Sequence, residues 1–249
     1  MKAMVLAAGL GTRLRPLTEN LPKALVEVGG RTMLEIALTR LRGAGIREVI
    51  VNTHHHAEML EEWLRAHPRG DMRVEISRED MLLDTGGGLK KAAWFFDEPE
   101  PDAGQPFLLH NVDVLSTIDF GEMARTHRRS GALATLAVQD RATSRYLLFD
   151  RDGELCGRRA GQDGSAEMVR TVKEPLALAF AGIHVLSPRI FSLLEERGAF
   201  SIVTAYLRLA AQGESIAAFR ADAYYWRDLG QAENVAQAAR DIASGIYAS

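Results

Sequence analysis

The chain has 249 residues, enough for one large domain or two small ones, and its 47% hydrophobic and 25% charged residues exclude a disordered chain. Thirty Lys and Arg against 33 Asp and Glu leave a net charge of −3, which excludes the global positive field that draws a protein onto nucleic acid or anionic lipid. The single cysteine, Cys156, excludes an internal disulfide and a multi-cysteine zinc site, and fits a reducing, cytoplasmic compartment.

The apolar start from Met1 to Gly11 is too short to span a bilayer and runs into Arg13 and Arg15, so it does not read as a secretory signal. No later stretch approaches the ~18 apolar residues of a membrane helix, and neither a membrane nor a nucleic-acid partner is expected. Residues 2–8 predict a buried strand that empties into a polar glycine loop over 9–22. A short strand at 25–28 ends at Gly29-Gly30, and Met33, Ile36, Ala37, Leu41 and Ala44 recur at helical spacing. A strand at 48–52, an amphipathic helix through Met59, Leu60, Trp63 and Leu64, and a strand at 73–76 continue the rhythm. A helix over 87–96, a strand at 106–110, a helix at 119–130 and a strand at 133–138 follow. The βαβαβ alternation predicts the α/β class, with a mostly parallel sheet covered on both faces. The segment from Glu98 to Gln105, acidic and proline-bearing, is the most linker-like, yet it interrupts one continuing alternation.

Beyond residue 140 the pattern becomes richer in β-structure. Strand-like pieces at 145–149, 167–172, 176–186 and 215–220 are separated by turn signals such as Asp152-Gly153 and Asp163-Gly164. Helices are expected at 188–196, 201–212 and 231–243, giving a small antiparallel β extension to the same domain. Ligands of open α/β sheets bind at the carboxyl ends of strands, which directs attention to the loops at 8–15, 77–88 and 110–114.

In the first of these loops, Leu6-Ala7-Ala8-Gly9-Leu10-Gly11-Thr12-Arg13-Leu14-Arg15-Pro16-Leu17-Thr18 is followed by Leu21-Pro22-Lys23-Ala24-Leu25. Small residues at Ala7, Ala8, Gly9 and Gly11 let backbone N–H groups approach a phosphate, while Arg13 and Lys23 can add charge-assisted hydrogen bonds. No G-x-x-x-x-G-K-[ST] occurs, and Leu14 stands where a dinucleotide fingerprint needs a third glycine or alanine. In the second, Asp84-Thr85-Gly86-Gly87-Gly88 joins a strand to a helix, a pattern that also suits a helix entry capped by Asp84 or Thr85. In the third, the apolar strand Leu108-Leu109-His110-Asn111-Val112-Asp113 ends in a carboxylate of the kind a hard Mg²⁺ takes together with phosphate oxygens and water. His54-His55-His56 reads as a strand-to-helix loop, since three successive side chains point in different directions and do not converge on zinc. Arg125, His127, Arg128 and Arg129 read as a basic helix end favourable to the dipole.

The ordered motif L-A-A-G-x-G-T-R-x-x-P-L-T followed by P-K-A-L resembles the signature of the sugar-1-phosphate nucleotidylyltransferases. Its wording around Thr85-Gly86-Gly87-Gly88 is most similar to the N-acetylmuramate 1-phosphate uridylyltransferase and mannose-1-phosphate guanylyltransferase branch. The resemblance implies a Rossmann-like three-layer α/β domain over 1–249, with a nucleotide-binding half (1–140) and a sugar-phosphate-binding half (141–249). It implies Mg²⁺-dependent joining of a nucleoside triphosphate, UTP foremost, to a sugar 1-phosphate, with release of pyrophosphate. Carried over residue by residue, Arg13 and Lys23 become the catalytic cations. Ala8, Gly9, Gly11, Thr12, Thr85, Gly86 and Gly87 become the nucleotide contacts. Asp113 and, from the Trp226-Arg227-Asp228-Leu229-Gly230 motif, Asp228 become the metal ligands. Asn111 and Gly182 carry over to the sugar phosphate, with Lys173 and Glu174, although their order in Lys173-Glu174-Pro175 inverts the family's E-K-P.

Val112 also departs from the family, replacing the usual glycine before the aspartate. It keeps open a non-catalytic relative that senses nucleotide sugars, beside a GTP-dependent mannose or heptose 1-phosphate guanylyltransferase and a CTP-dependent phosphocholine enzyme. The absence of a hexapeptide repeat argues against the acyltransferase β-helix of longer family members. A monomer or homodimer acting in nucleotide-sugar and cell-wall metabolism is the corresponding expectation.

Overall fold

The computed structural model describes residues 1–97, 104–162 and 164–247. Its first half holds β1 (Ala3–Leu6), β2 (Glu27–Val28), β3 (Arg31–Thr32), α1 (Met33–Gly43), β4 (Glu48–Thr53), α2 (Ala57–Ala66), β5 (Arg73–Arg78), α3 (Asp84–Lys91), α4 (Ala93–Phe96), β6 (Phe107–Asn111), β7 (Val114–Ser116), α5 (Phe120–Ser130) and β8 (Ala134–Gln139). The second holds β9 (Arg145–Phe149), β10 (Leu155–Ala160), β11 (Ala166–Met168), β12 (Leu176–Leu186), α6 (Ile190–Leu193), α7 (Ile202–Ala211), β13 (Ile216–Arg220), β14 (Trp226–Asp228) and α8 (Ala232–Ala243).

The main sheet runs β11-β10-β9-β12-β6-β1-β4-β5, and β8 pairs with β12 and β13. Strands β6, β1, β4 and β5 are mutually parallel, as the βα alternation requires. Strand β12 crosses into this set antiparallel to β6 and also pairs antiparallel with β8 and β9, so one continuous sheet joins the segments before and after residue 140. Both faces of the parallel strands are buried, which is why β1 and β4 are apolar runs rather than alternations. Ala3, Val5, Val49 and Val51 pack with α1, α2, α5 and α8 on one face. Met4, Ile50, Phe107 and Leu109 pack with α3, α4, α6 and α7 on the other.

Helix boundaries follow local chemistry where caps exist. Thr32 accepts from the Glu35 N–H at 3.1 Å to start α1, and Asp119 accepts from the Glu122 N–H at 2.9 Å to start α5, which ends at the left-handed Gly131. Elsewhere tertiary contacts shift the expected bounds. The helix expected over 188–196 forms only as α6, because side chains capture the carbonyls beyond it: Lys90 Nζ binds those of Leu194 and Glu196 at 2.7 Å each, and Arg208 binds that of Leu193 at 2.9 Å. The strand expected at 167–172 is limited to β11. At 25–28, a 3₁₀ turn over Lys23–Leu25 precedes β2. Strand β10 follows the Asp152-Gly153 turn without a matching expectation. The linker-like segment lies mostly outside the described residues, as does Asp163. No described helix is long and apolar enough to cross a membrane.

Three histidines are interior. Burial holds the His110 and His127 imidazoles down to about 4 and that of His184 to about 3, with Nδ1 of His127 on Thr135 Oγ1 and Nδ1 of His184 on the Tyr206 hydroxyl. Their folded pKa values lie below the ordinary imidazole value, so the stability they contribute is complete above that value and drains away as the pH falls toward the folded values. At about 1.4 kcal/mol per pH unit and site, each withdraws up to about 2 kcal/mol by pH 5. Thermal melts should therefore show Tm falling between pH 7.5 and 5.5, before most carboxylates titrate. A flat Tm across that window would refute this account.

Candidate active site

The register of the parallel strands sets the floor of a cleft. Leu6 at the end of β1 lies opposite Asn52 on one side and Asn111 on the other, and Ile183 lies opposite His110, so Gly182 of β12 extends the row past Asn111. Asn52, Leu6, Asn111 and Gly182 thus stand side by side where the parallel strands end and the loops begin. Two hydrogen bonds tie the loops to this row: Ala7 N–H to Asn52 Oδ1 at 2.7 Å and Val112 N–H to the Leu6 carbonyl at 3.1 Å.

Two cavities open above the row. The first, about 510 Å³, is lined by Ala8, Gly9, Lys23, Asn52, Thr85 and Asp113 among others. The second, about 790 Å³, is lined by Arg13, Arg141, Gly182, Trp226, Asp228 and Asn234 among others. Asn111 and Asp113 belong to both walls, so the cavities meet at this strand end.

The two carboxylates are brought together by the small β7–β14 ladder, which sets Asp228 opposite Val114, and by the Leu229 N–H donating to the Asp113 carbonyl at 2.8 Å. Asp113 Oδ2 is ion-paired with the Lys23 ammonium, whereas Asp228 Oδ1 accepts from the Gly230 N–H at 2.5 Å. The second oxygen of each carboxylate has no hydrogen-bond or ion-pair partner among the described residues. Two hard carboxylates with a free oxygen each fit Mg²⁺, which keeps several waters and takes one or two carboxylates beside phosphate oxygens.

The glycine loop is folded by its own side chains. Gly11 adopts φ +65, and the Thr18 hydroxyl donates to its carbonyl at 2.8 Å. A Cβ on Gly11 would stand 2.9 Å from Thr18 Cγ2 and 3.1 Å from Lys23 Cβ, so this glycine lets the loop close against Lys23. Arg13 is exposed on the following turn, and a Cβ on Gly230 would lie 2.8 Å from its guanidinium.

Of the expected site residues, Ala8, Gly9, Lys23, Thr85, Asn111 and Asp113 line the first cavity, and Arg13, Asn111, Asp113, Gly182 and Asp228 the second. Gly11 and Thr12 lie on neither lining; Gly11 shapes the loop beneath, and Thr12 is exposed on the turn. Gly86 and Gly87 are turned away from the cavities: their N–H groups donate to the Phe200 carbonyl at 2.9 and 3.3 Å, and their Cα atoms press on Phe200 and Gly198. Lys173 and Glu174 are likewise not brought to the cleft. They are exposed before β12, whose first residue, Leu176, pairs with Phe149 and at about 3.3 Å per strand residue lies roughly 20 Å along the strand from Gly182. Val112, the departure from the family motif, lines the first cavity yet is only 3% exposed, its side chain spent on the core.

Several lining residues were not anticipated. Asn52 Nδ2 donates to Glu79 Oε1 at 2.7 Å, and Glu79 Oε2 accepts from the Leu83 N–H at 3.0 Å, so this buried pair fixes the loop that carries Thr85. Arg141 lies with its guanidinium 3.6 Å from the centre of the Trp226 ring and donates to the Phe180 carbonyl at 3.0 Å. Burial lowers its pKa, with the Asp228 charge acting in the opposite direction. Arg141 Nε and Asn111 Oδ1 are buried without a partner. Each unmet group costs about 1–3 kcal/mol, a cost that a bound ligand can relieve. Only Asn52 carried a usable signal, as the polar residue ending an apolar strand.

A sheet of this order with a glycine loop, cations and paired carboxylates at its strand ends defines a phosphate-handling α/β protein. The fold is similar to that of HddC from Yersinia pseudotuberculosis complexed with GMP-PN, with a TM-score of 0.77 at 19% identity over 97% of this chain and 99% of that one. The chain belongs to the nucleotidyl transferase family, whose model matches residues 2–245. Among its relatives, an N-acetylmuramate alpha-1-phosphate uridylyltransferase of Caulobacter vibrioides is 34% identical over 85% of this chain and 85% of its own length. A mannose-1-phosphate guanyltransferase of Yarrowia lipolytica is 30% identical over 93% of this chain, which spans 61% of that protein.

Proposed function

We propose that the chain transfers a nucleotidyl group from a nucleoside triphosphate, UTP foremost, to a sugar 1-phosphate, with N-acetylmuramate 1-phosphate the first acceptor to test. The observation that carries this reading is the meeting of two cavities at Asp113, a donor side floored by the glycine loop and an acceptor side walled by Gly182 and Asp228. The 34% identical uridylyltransferase supports the choice of base and sugar.

No protein nucleophile is needed. An oxygen of the acceptor phosphate attacks the α-phosphorus in line; the new P–O bond forms as the bond to the bridging oxygen breaks, and pyrophosphate leaves with that electron pair. The protein's task is positioning and charge neutralisation, because the transition state spreads negative charge over the equatorial oxygens. Gly9 and Ala8 admit the triphosphate to the loop backbone, Lys23 lies where it can follow the reacting phosphate, and Arg13 faces the phosphates from the turn above. Asp113 and Asp228 would hold Mg²⁺, which would supply positive charge to offset that developing on the phosphates. The reaction requires no membrane and suits a cytoplasmic setting.

The test is pyrophosphate release with Mg²⁺, using UTP, GTP, CTP, ATP and dTTP, each against N-acetylmuramate, N-acetylglucosamine, mannose and glucose 1-phosphates and phosphocholine. Turnover with UTP and N-acetylmuramate 1-phosphate is expected. Turnover confined to GTP with mannose 1-phosphate would replace this substrate pair with that named for the Yarrowia relative. Silence of the folded protein across the panel would overturn the catalytic reading.

A further inference from the structure

We propose that Arg141 is the side chain that receives the acceptor's phosphate, so that the chain anchors a sugar 1-phosphate from the loop after β8 rather than from Lys173. This inference rests on the second cavity being the acceptor site. Within that cavity the cations differ sharply in what they have left to offer. Arg227 is committed to Asp241 at 2.8 Å and to the Tyr225 hydroxyl at 3.0 Å. Arg13 projects from the glycine loop beside Gly230, and Arg145 is exposed at the start of β9, where it also borders a separate cavity beyond Phe180.

Arg141 alone combines partial burial, a fixed plane and unspent donors. The Trp226 indole stacks on it and the Phe180 carbonyl holds one terminal nitrogen, and both residues line the same cavity. Its Nε is buried without an acceptor, and the guanidinium has no ion-pair partner among the described residues. A desolvated, unpaired guanidinium is held at a cost unless an anion completes it, and its planar fork suits a phosphate. The surroundings favour the same ligand. Asp113 and Asp228 place two carboxylates at this end of the cleft, and an incoming phosphate dianion needs an available cation beside them. Lys173, exposed before β12, lines neither cavity.

The experiment measures binding of N-acetylmuramate 1-phosphate and of inorganic phosphate by titration calorimetry, alongside steady-state KM values, for the unmodified chain and for Arg141→Gln, Arg141→Lys and Lys173→Gln. Arg141→Gln should weaken 1-phosphate binding by about 10–100-fold, the range for a hydrogen bond to a charged group. It should raise the acceptor KM alike and leave the UTP KM within about twofold. Arg141→Lys should restore only part, since an ammonium neither stacks on Trp226 nor presents a fork. It also serves as the test if Arg141→Gln does not fold. Unchanged acceptor binding in both Arg141 variants, or an equal loss in Lys173→Gln, overturns the assignment. Binding that depends on Arg141 without pyrophosphate release overturns the transferase reading and retains the phosphate site. Pyrophosphate release with an unchanged acceptor KM in Arg141→Gln does the reverse. No affinity of the unmodified chain for any sugar 1-phosphate overturns both.

Discussion

Arg13→Ala should lower kcat by about 10²–10³ while leaving the melting temperature where it was. Removing one preorganised donor from a transition state typically has an effect of this size, roughly 3–4 kcal/mol. The premise is that Arg13 does nothing for the fold: its side chain is exposed and has no hydrogen-bond or ion-pair partner among the described residues, yet it lines the cavity that holds Asp228. An arginine without intramolecular work beside two carboxylates is placed for a ligand's charge. Arg13→Lys should recover part of the rate, because charge returns without the fork. Steady-state kinetics with both variants decides the matter. Turnover within threefold of the unmodified chain in Arg13→Ala would remove Arg13 from the mechanism, and a fall in Tm of several degrees would show that its role is structural after all.

The second large effect is a contrast between two glycines. A Cβ at Gly9 meets nothing within 4 Å, so the fold tolerates Gly9→Ala, whose methyl group takes space in the first cavity. A Cβ at Gly87 would stand 2.5 Å from the Gly198 carbonyl oxygen and 2.9 Å from Leu83 Cβ, inside a joint where the Phe200 N–H also binds the Leu83 carbonyl at 3.1 Å. Gly87→Ala therefore forces backbone apart, and overpacking of about 1–3 kcal/mol outweighs the gain of up to about 1 kcal/mol in helix propensity. Its Tm should drop by roughly 2–8 °C at about 2–4 °C per kcal/mol, whereas Gly9→Ala should melt like the unmodified chain and lose about tenfold or more in kcat/KM for the triphosphate. Calorimetry and kinetics on the two proteins separate the roles. Equal melting temperatures, or a fully active Gly9→Ala, would refute the division.

This contrast also explains how far the sequence could be read. Apolar periodicity located β1, β4, β6, α1 and α5, because each buries a continuous face and α1 and α5 carry their own caps at Thr32 and Asp119. The glycine loop, Lys23, Asp113 and Asp228 were legible as ordered motifs, and the register of β1, β6, β7 and β14 brings three of those four elements to one strand end. Gly86 and Gly87 misled because a glycine run signals close approach without naming what approaches. Here it is residues 198–200, more than a hundred positions away. Lys173-Glu174-Pro175 match the family in composition, yet they precede β12 where it runs on beyond the ends of the parallel strands, and they line neither cavity. Arg141 gave no signal, since a lone arginine after a strand becomes informative only once Trp226 is known to lie against it.

The two cavities also draw unevenly on the length of the chain. Apart from Ala199, the first is lined entirely by residues up to Asp113, whereas most of the second comes from 141–145, 180–182 and 226–234. The linings of the two cavities are thus nearly separate along the sequence, sharing only Asn111 and Asp113. If the first cavity takes the triphosphate and the second the acceptor, substitutions after residue 140 reach the acceptor side with little disturbance of the donor side.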